Sequence, residues 1–202
     1  MTGATAPTEP LILAFDSSGR HCAACLLQGD SVVATRAEEM ARGQAERLMP
    51  MLDELLAEAG ASWRDLGGIA VGVGPGNFTG IRISVSAARG LALALAIPAE
   101  GVSTFDAMSW GQPEPHLAAI PAPRDQFYMR TANTPPRLVG GPLDTGLAIL
   151  SPPPPARLVE NMARVTRARL LDPRHVATRP KPLYIKAADA APPRDPAPTI
   201  LP

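Results

Sequence analysis

The chain has 202 residues, 46% of them apolar, with a formal net charge of zero and two cysteines. That is apolar material for one large domain or two small ones, and the zero balance argues against a strong electrostatic nucleic-acid binder. The start, Met1 to Pro7, carries no base and no long apolar core, so no signal peptide is read there. No apolar run reaches the roughly 18 residues of a membrane span, and a cytoplasmic location is expected.

Residues 1–9 read as a flexible tail. Leu11 to Phe15 is a short apolar strand ending in Asp16-Ser17-Ser18-Gly19. Cys22 to Gln28 and Ser31 to Ala37 read as two more strands, with Gly29-Asp30 as the turn, so the chain opens as an antiparallel meander. Cys22 and Cys25 have Cys-x-x-Cys spacing. On a strand, however, positions three apart face opposite sides, so neither a metal site nor a redox site is expected.

Residues 44–59 read as the first long helix. Ala45, Leu48, Leu52, Leu55 and Ala59 form one stripe, Met49 and Leu56 a neighbouring one, and Met51 lies to the other side. This apolar surface is wider than one sheet contact needs. Pro50 either marks the first turn or kinks the helix, and Gly60 ends it.

Ile69 to Val73 reads as a buried strand. The turn Gly72-Val73-Gly74-Pro75-Gly76-Asn77-Phe78-Thr79-Gly80 follows, with Asn77 or Thr79 as the cap of a second helix running to about Ala96. Such a turn can hold a phosphate on backbone N–H groups; equally, its glycines can let a helix pack close to a sheet. No P-loop or dinucleotide fingerprint is present. On the second helix, Gly80, Ser84, Ala87, Leu91 and Ala94 form a mostly small stripe. Ile81, Val85, Ala88, Ala92 and Leu95 form a fatter face suited to the sheet. With Glu100 to Ser103 as a further strand, residues 10–103 read βββαβαβ, an α/β lobe.

The remainder changes character, since 19 of the 24 prolines lie after residue 110. Strands are expected at 117–120, 126–131, 137–140, 156–159 and 183–186, and a helix at 160–171. Proline at this density limits long helices and central strands. Residues 104–188 therefore read as a small proline-rich second lobe, and 189–202 as a flexible tail. Between 151 and 186 eight bases (Arg157, Arg164, Arg167, Arg169, Arg174, Arg179, Lys181, Lys186) face only Glu160 and Asp172. That is either a polyanion-facing patch or a solvated face.

Asp16-Ser17-Ser18-Gly19 after the first strand suggests the turn that holds phosphate and metal in actin- and hexokinase-type nucleotide folds, although Asp and Ser are also ordinary turn residues. The candidate phosphate contacts are Asp16, Ser17, Ser18, Gly74, Gly76 and Thr79. An ATP enzyme of this kind needs an equivalent second half, and Gly140-Gly141 with Asp144 do not supply one. No Gly-x-Ser-x-Gly elbow exists, and His21, His116 and His175 have no recognisable nucleophile partner.

Four segments resemble the TsaB (YeaZ) family: Leu13-Ala14-Phe15-Asp16-Ser17-Ser18, the run 42–52, Gly72 to Arg82, and Pro182-Leu183-Tyr184-Ile185-Lys186. The resemblance is close over about 10–110 and thin beyond. It implies an actin-like ATPase or ribonuclease H-like fold with a degenerate, shortened second lobe. It also implies no catalysis of its own. The family partners the paralogue TsaD, which carries the metal and the transferase site, and the ATPase TsaE. Together they make threonylcarbamoyladenosine in tRNAs that read codons beginning with A.

Further implications are a homodimer when alone, tRNA contact only through the complex, no tightly bound cofactor, and ATP or ADP at the partner interface. The interface would be a bundle of the two long helices. The matching positions are Gln44, Leu48, Met51, Leu52 and Leu55 on the first, and Phe78, Gly80, Arg82, Ser84, Ala87 and Leu91 on the second. Three departures stand out, one being the short, proline-rich second lobe, which argues against nucleotide binding between lobes. Gln44 replaces the family's usual histidine, and Pro121-Ala122-Pro123-Arg124-Asp125 lacks an acid at the start of the second-lobe hairpin.

Two readings of function follow. In one, the helix pair binds a partner, and Leu52→Glu abolishes association while the isolated chain stays folded. In the other, the chain is a small ATP-dependent phosphotransferase or nucleotide hydrolase that uses Asp16 and the 74–80 turn. Direct tRNA contact by 157–186 is a further, lesser idea.

Overall fold

The structure, a computed structural model, describes residues 9–143 and 145–185. Most of the tails expected at 1–9 and 189–202, and the residues Asp144 and Lys186, lie outside them.

Strands β1 (Leu11–Asp16), β2 (His21–Gln28) and β3 (Ser31–Glu39) form the antiparallel meander, and β4 (Leu66–Gly72) and β5 (Ala99–Val102) extend it in parallel. The sheet order is β3-β2-β1-β4-β5. Period-two alternation splits each strand between two cores. Leu11, Leu13 and Phe15 face helices α1 (Gln44–Glu58) and α2 (Phe78–Leu95), whereas Ile12 and Ala14 face the opposite side. Cys22 and Cys25 fall in opposite cores, as their spacing requires, and burial pushes both thiols up to about 11. Burial and a raised pKa both keep a thiol in its protonated, less nucleophilic form.

The opposite side is covered by α4 (Pro155–Leu171), which presents Leu158, Val159, Met162, Ala163 and Val165. This corrects two expectations. Residues 156–159 are helix rather than strand, because Pro155 occupies the first turn, where its missing N–H costs nothing. In addition, α4 packs on the first sheet, so the segment 104–188 is not one lobe.

What remains of a second lobe is a four-stranded sheet of order β8-β7-β6-β9, built from β6 (His116–Ala122), β7 (Gln126–Arg130), β8 (Arg137–Gly140) and β9 (Ala148–Leu150). Its inner face packs Ala118 and Ile120 against Phe105 and Met108 of α3 (Thr104–Ser109). Among the described residues its other face packs Leu117, Ala119 and Met129 against side chains such as Leu143 and Leu147. An antiparallel meander extended by two parallel strands, with helices on both faces, has the topology expected of an actin-like fold, and a smaller four-stranded sheet stands in the place of the second lobe. Residues 183–185 are not a strand; Leu183 N–H instead donates to the Val73 carbonyl at 2.8 Å.

Candidate functional site

Two surfaces compete for function: the cleft between the sheets and the outer face of the helix pair. In the cleft, the Asp16 turn is turned inward. Asp16 is 1% exposed. Its Oδ2 accepts from Ser18 N–H at 3.1 Å and Ser18 Oγ at 3.0 Å, and lies 2.7 Å from His21 Nε2. The Ser17 hydroxyl donates to the Gly80 carbonyl at 2.8 Å, and Asn77 N–H donates to the Ser18 carbonyl at 2.6 Å.

The glycines of the second turn take their meaning from this contact. A Cβ at Gly80 would collide with the carbonyl oxygen of Ser17, and one at Gly76 with that of Ser18. The two turns are therefore locked backbone to backbone. Of the six candidate phosphate contacts, Asp16, Ser17 and Ser18 hold this lock, and Gly76 is needed for its close approach. Gly74 is the turn residue before Pro75, with φ of 93°. Thr79 is exposed in the first turn of α2, where Asn77, not Thr79, caps the helix by accepting from Gly80 N–H at 2.9 Å.

A cleft of about 980 Å³ remains beside the lock. It is lined by Gly19, Arg20, Arg42, Gln44, Thr79, Pro121, Pro123 and Tyr128, among others. Gln44 is half-buried and donates from its side-chain amide to the Met40 carbonyl at 3.2 Å. It acts as a hydrogen-bonding residue of the helix start.

Three further titratable groups, His116, His175 and Asp106, are engaged in structure. His116 is 2% exposed and lies 2.8 Å from Ser109 Oγ and 3.0 Å from the Pro113 carbonyl. The pair has the spacing of a nucleophile and its base, but Ser109 ends α3, and a helix C-terminus disfavours an oxyanion. His175 lies 3.0 Å from Glu100. Asp106 bonds Arg130 at 2.7 Å and Arg169 at 3.0 Å, tying β7 to α4. Burial acts to raise the Asp106 pKa, yet Arg130, Ser103 and Arg169 together outweigh it and hold it below the ordinary carboxylate value. Among the described residues no group of three or more His, Cys, Asp or Glu is arranged around a common point for a metal.

Half of the eight bases of the 157–186 segment pair with carboxylates of the chain. Arg157 pairs with Glu160, Arg167 with Glu9 and Asp30, Arg169 with Asp106, and Arg174 with Asp172. Arg164 donates to the Asp30 carbonyl. The solvated, paired face is the better description.

The helix pair requires the largest correction. Leu48, Met51, Leu52 and Leu55, placed at the partner interface by resemblance, are buried in the chain's own core, as are Gly80 and Ser84 on α2. The wide apolar stripe of α1 is spent on the sheet and on α2, leaving Met49 at 38% exposure with acids around it. The position is different on α2. Only Gly80, Ile81, Ser84, Val85 and Ala88 are buried among its 18 residues. Phe78 and Arg82 are exposed as expected, Ala87 and Leu91 are half-buried, and Ser86, Gly90 and Leu93, none of them foreseen, are exposed beside Ala94 of the small stripe. Leu93 is 82% exposed. The signal for those three was available, since positions on the far side of the sheet-facing stripe must point outward.

By length and a mean hydropathy of 1.2, α2 would also pass as a membrane span. Its seat on the sheet and the outward Arg82 and Arg89 oppose that reading.

A family model described as TsaD: tRNA N6-adenosine threonylcarbamoyltransferase matches residues 8–146. The tRNA threonylcarbamoyladenosine biosynthesis protein TsaB of Escherichia coli is 37% identical over 122 residues, covering 58% of this chain and 52% of that protein. The chain thus spans about half the length of the curated TsaB relatives it first matches. An uncharacterized protein of Mycobacterium tuberculosis is 31% identical over 198 residues, covering 90% of this chain and 94% of the relative. Among solved structures, YeaZ from Pseudomonas aeruginosa superposes with a TM-score of 0.68 at 27% identity, covering 87% of this chain and 99% of the other.

Proposed function

The chain belongs to the TsaB (YeaZ) family, and on that premise we propose that it is a non-catalytic subunit in tRNA threonylcarbamoyladenosine formation, docking its outer α2 face onto the paralogue TsaD. The observation that carries this reading is α2 itself. It is an 18-residue helix with two charged residues, both arginines, and it shows its small and apolar side chains to solvent. Exposed apolar surface of that extent marks an interaction site. Small residues such as Ser86, Gly90 and Ala94 let a second helix approach closely. The same face serves self-association when TsaD is absent.

TsaE joins the pair, tRNA is reached through the complex, and ATP or ADP belongs to the partner interface. The lock between the two turns supports a structural role for the Asp16 segment, because Asp16 Oδ2, the Ser17 hydroxyl and the Ser18 carbonyl are committed within the chain. The whole assembly works in the cytoplasm.

The test is reconstitution. TsaD, TsaE and tRNA are combined with threonine, bicarbonate, ATP and the enzyme that makes the threonylcarbamoyl adenylate, with and without this chain. Modified tRNA is expected only when the chain is present. Equal modification without it contradicts the reading.

The cleft of about 980 Å³ beside the Asp16 turn favours a second reading, a small ATP-dependent enzyme. That reading requires micromolar ATP–magnesium binding by the isolated chain in calorimetry, lost in Asp16→Ala, together with turnover.

A further inference from the structure

After α4 the chain returns across the end of the first sheet. Pro180 packs over Gly101, and Leu183 N–H donates to the Val73 carbonyl at 2.8 Å. These contacts set Tyr184 on the first turn of α2. Its ring stacks on Phe78 with centroids 5.2 Å apart and planes inclined by 28°. The Arg82 guanidinium carbon lies 3.9 Å from the Phe78 ring centre, and Arg82 Nε donates to the Tyr184 hydroxyl at 3.2 Å. Phe78 is 42% exposed and Tyr184 47% exposed. Among the described residues Arg82 pairs with no carboxylate, and its two terminal nitrogens make no hydrogen bond.

We propose that Phe78, Arg82 and Tyr184 form a pre-organised anchor that receives a carboxylate of the partner protein, with Tyr184 as the residue that positions the guanidinium. The inference rests on the docking reading above and specifies the chemistry it demands of the partner. A planar guanidinium held by a ring and a hydroxyl has lost much of its freedom before association, which lowers the cost of binding. Its free edge presents two parallel N–H groups, the geometry that a carboxylate accepts. Arginine and tyrosine on a rigid support are the common anchors of protein interfaces.

Charge agrees with this assignment. α2 carries Arg82 and Arg89 and no acid, and the neighbouring Arg179 and Lys181 are exposed. A protein occupant is favoured over RNA for two reasons. Phe78 is already engaged by Arg82 and Tyr184, which leaves little ring face for a nucleobase. The cluster also runs on, past Arg89, into the small and apolar side chains of Ser86, Gly90 and Leu93, a surface that suits a packed protein partner.

The test is calorimetric titration of the full chain against TsaD at low and high salt. Arg82→Gln is expected to weaken association by about 30-fold and to flatten its salt dependence. Arg82→Lys keeps the charge without the planar fork, and is expected to retain the salt dependence but not the full affinity. Tyr184→Phe is expected to cost about threefold in the wild-type background and nothing more in Arg82→Gln, because it acts through Arg82. Gly90→Arg, placed elsewhere on α2, reports on the docking reading alone.

If Gly90→Arg abolishes binding while Arg82→Gln binds with unchanged affinity and salt dependence, the anchor is wrong and the docking reading stands. If Gly90→Arg binds normally, the docking reading falls and takes the anchor with it. If Arg82→Gln weakens affinity for tRNA but not for TsaD, the cluster is a nucleic-acid contact and the proposal is overturned.

Discussion

Helices α1 and α2 lie side by side on one face of the first sheet, yet they spend their apolar surface in opposite ways. α1 buries Leu48, Met51, Leu52, Leu55 and Leu56, and rims itself with Glu38–Arg47–Glu54 and Arg36–Glu58 ion pairs. α2 buries a narrow strip and leaves Phe78, Ala94 and Leu93 outside, with no acid on the helix at all. A helix with a broad apolar stripe and a charged rim is finished by its own chain. A helix that is uncharged nearly all round, but seated on only one side, is not.

The difference is sharpest for substitutions of like chemistry on the two helices. Leu52→Glu places an unpaired charge at a fully buried site, and global unfolding of the isolated chain is expected in thermal denaturation. Loss of association in that variant would therefore say nothing about an interface. The gentler Leu52→Ala should cost about 2–5 kcal/mol. Leu93→Glu, at an 82% exposed site, should leave the melting temperature within a degree or two and act on association alone. If Leu52→Glu stayed folded and Leu93→Glu did not, the two helices would have exchanged roles.

The seat of α2 is tested next. Gly80→Ala drives a methyl group into the Ser17 carbonyl, and should cost about 1–3 kcal/mol by forcing the two turns apart. If phosphate binding rather than close packing explained the glycine, Gly80→Ala would leave the melting temperature unchanged.

A smaller effect separates the helices by pH. The hydrogen bond from Arg47 holds the Glu38 and Glu54 carboxyls below their ordinary value. A carboxylate depressed in the folded state stabilises the fold above its unfolded pKa, and that contribution is lost as pH falls through the folded one. Acidification from about pH 4.5 downward should therefore loosen amide protection on α1. It should leave α2 unaffected, since α2 has no acid to titrate. Arg47→Ala should remove the α1 response. The smallest effect is expected from Arg167→Ala, whose partners Glu9 and Asp30 are exposed: the melting temperature should not move resolvably.

Much of the first lobe was legible in the sequence. The meander, both long helices and the strand between them follow from period-two and period-3.6 patterns and from Gly60, Pro75 and Asn77 as stops and caps. The second half was harder because its signals are weak or inverted. Pro152 to Pro155 reads as a breaker, although Pro155 starts α4. Helix α3 has only six residues, marked by the Ser103–Asp106 capping box, and β9 has only three.

The candidate site was legible in kind but not in detail. Periodicity shows which stripe of a helix is apolar, not how much of that stripe its own sheet will take. For α1 the sheet and the neighbouring helix took nearly all of it. For α2 the two turns beneath fix the helix by its small residues and leave the rest outside. The Tyr184 contact joins positions 102 residues apart, and no local pattern announces it.

The most direct measurement is the mass of the mixture of this chain with TsaD by light scattering, for wild type and for Gly90→Arg. Gly90 is exposed and a Cβ there meets nothing, so the variant should fold as the wild type does. The account predicts a complex with the wild type and two separate proteins with Gly90→Arg, at equal melting temperature of the two chains. A complex of the same mass and affinity with Gly90→Arg would contradict it.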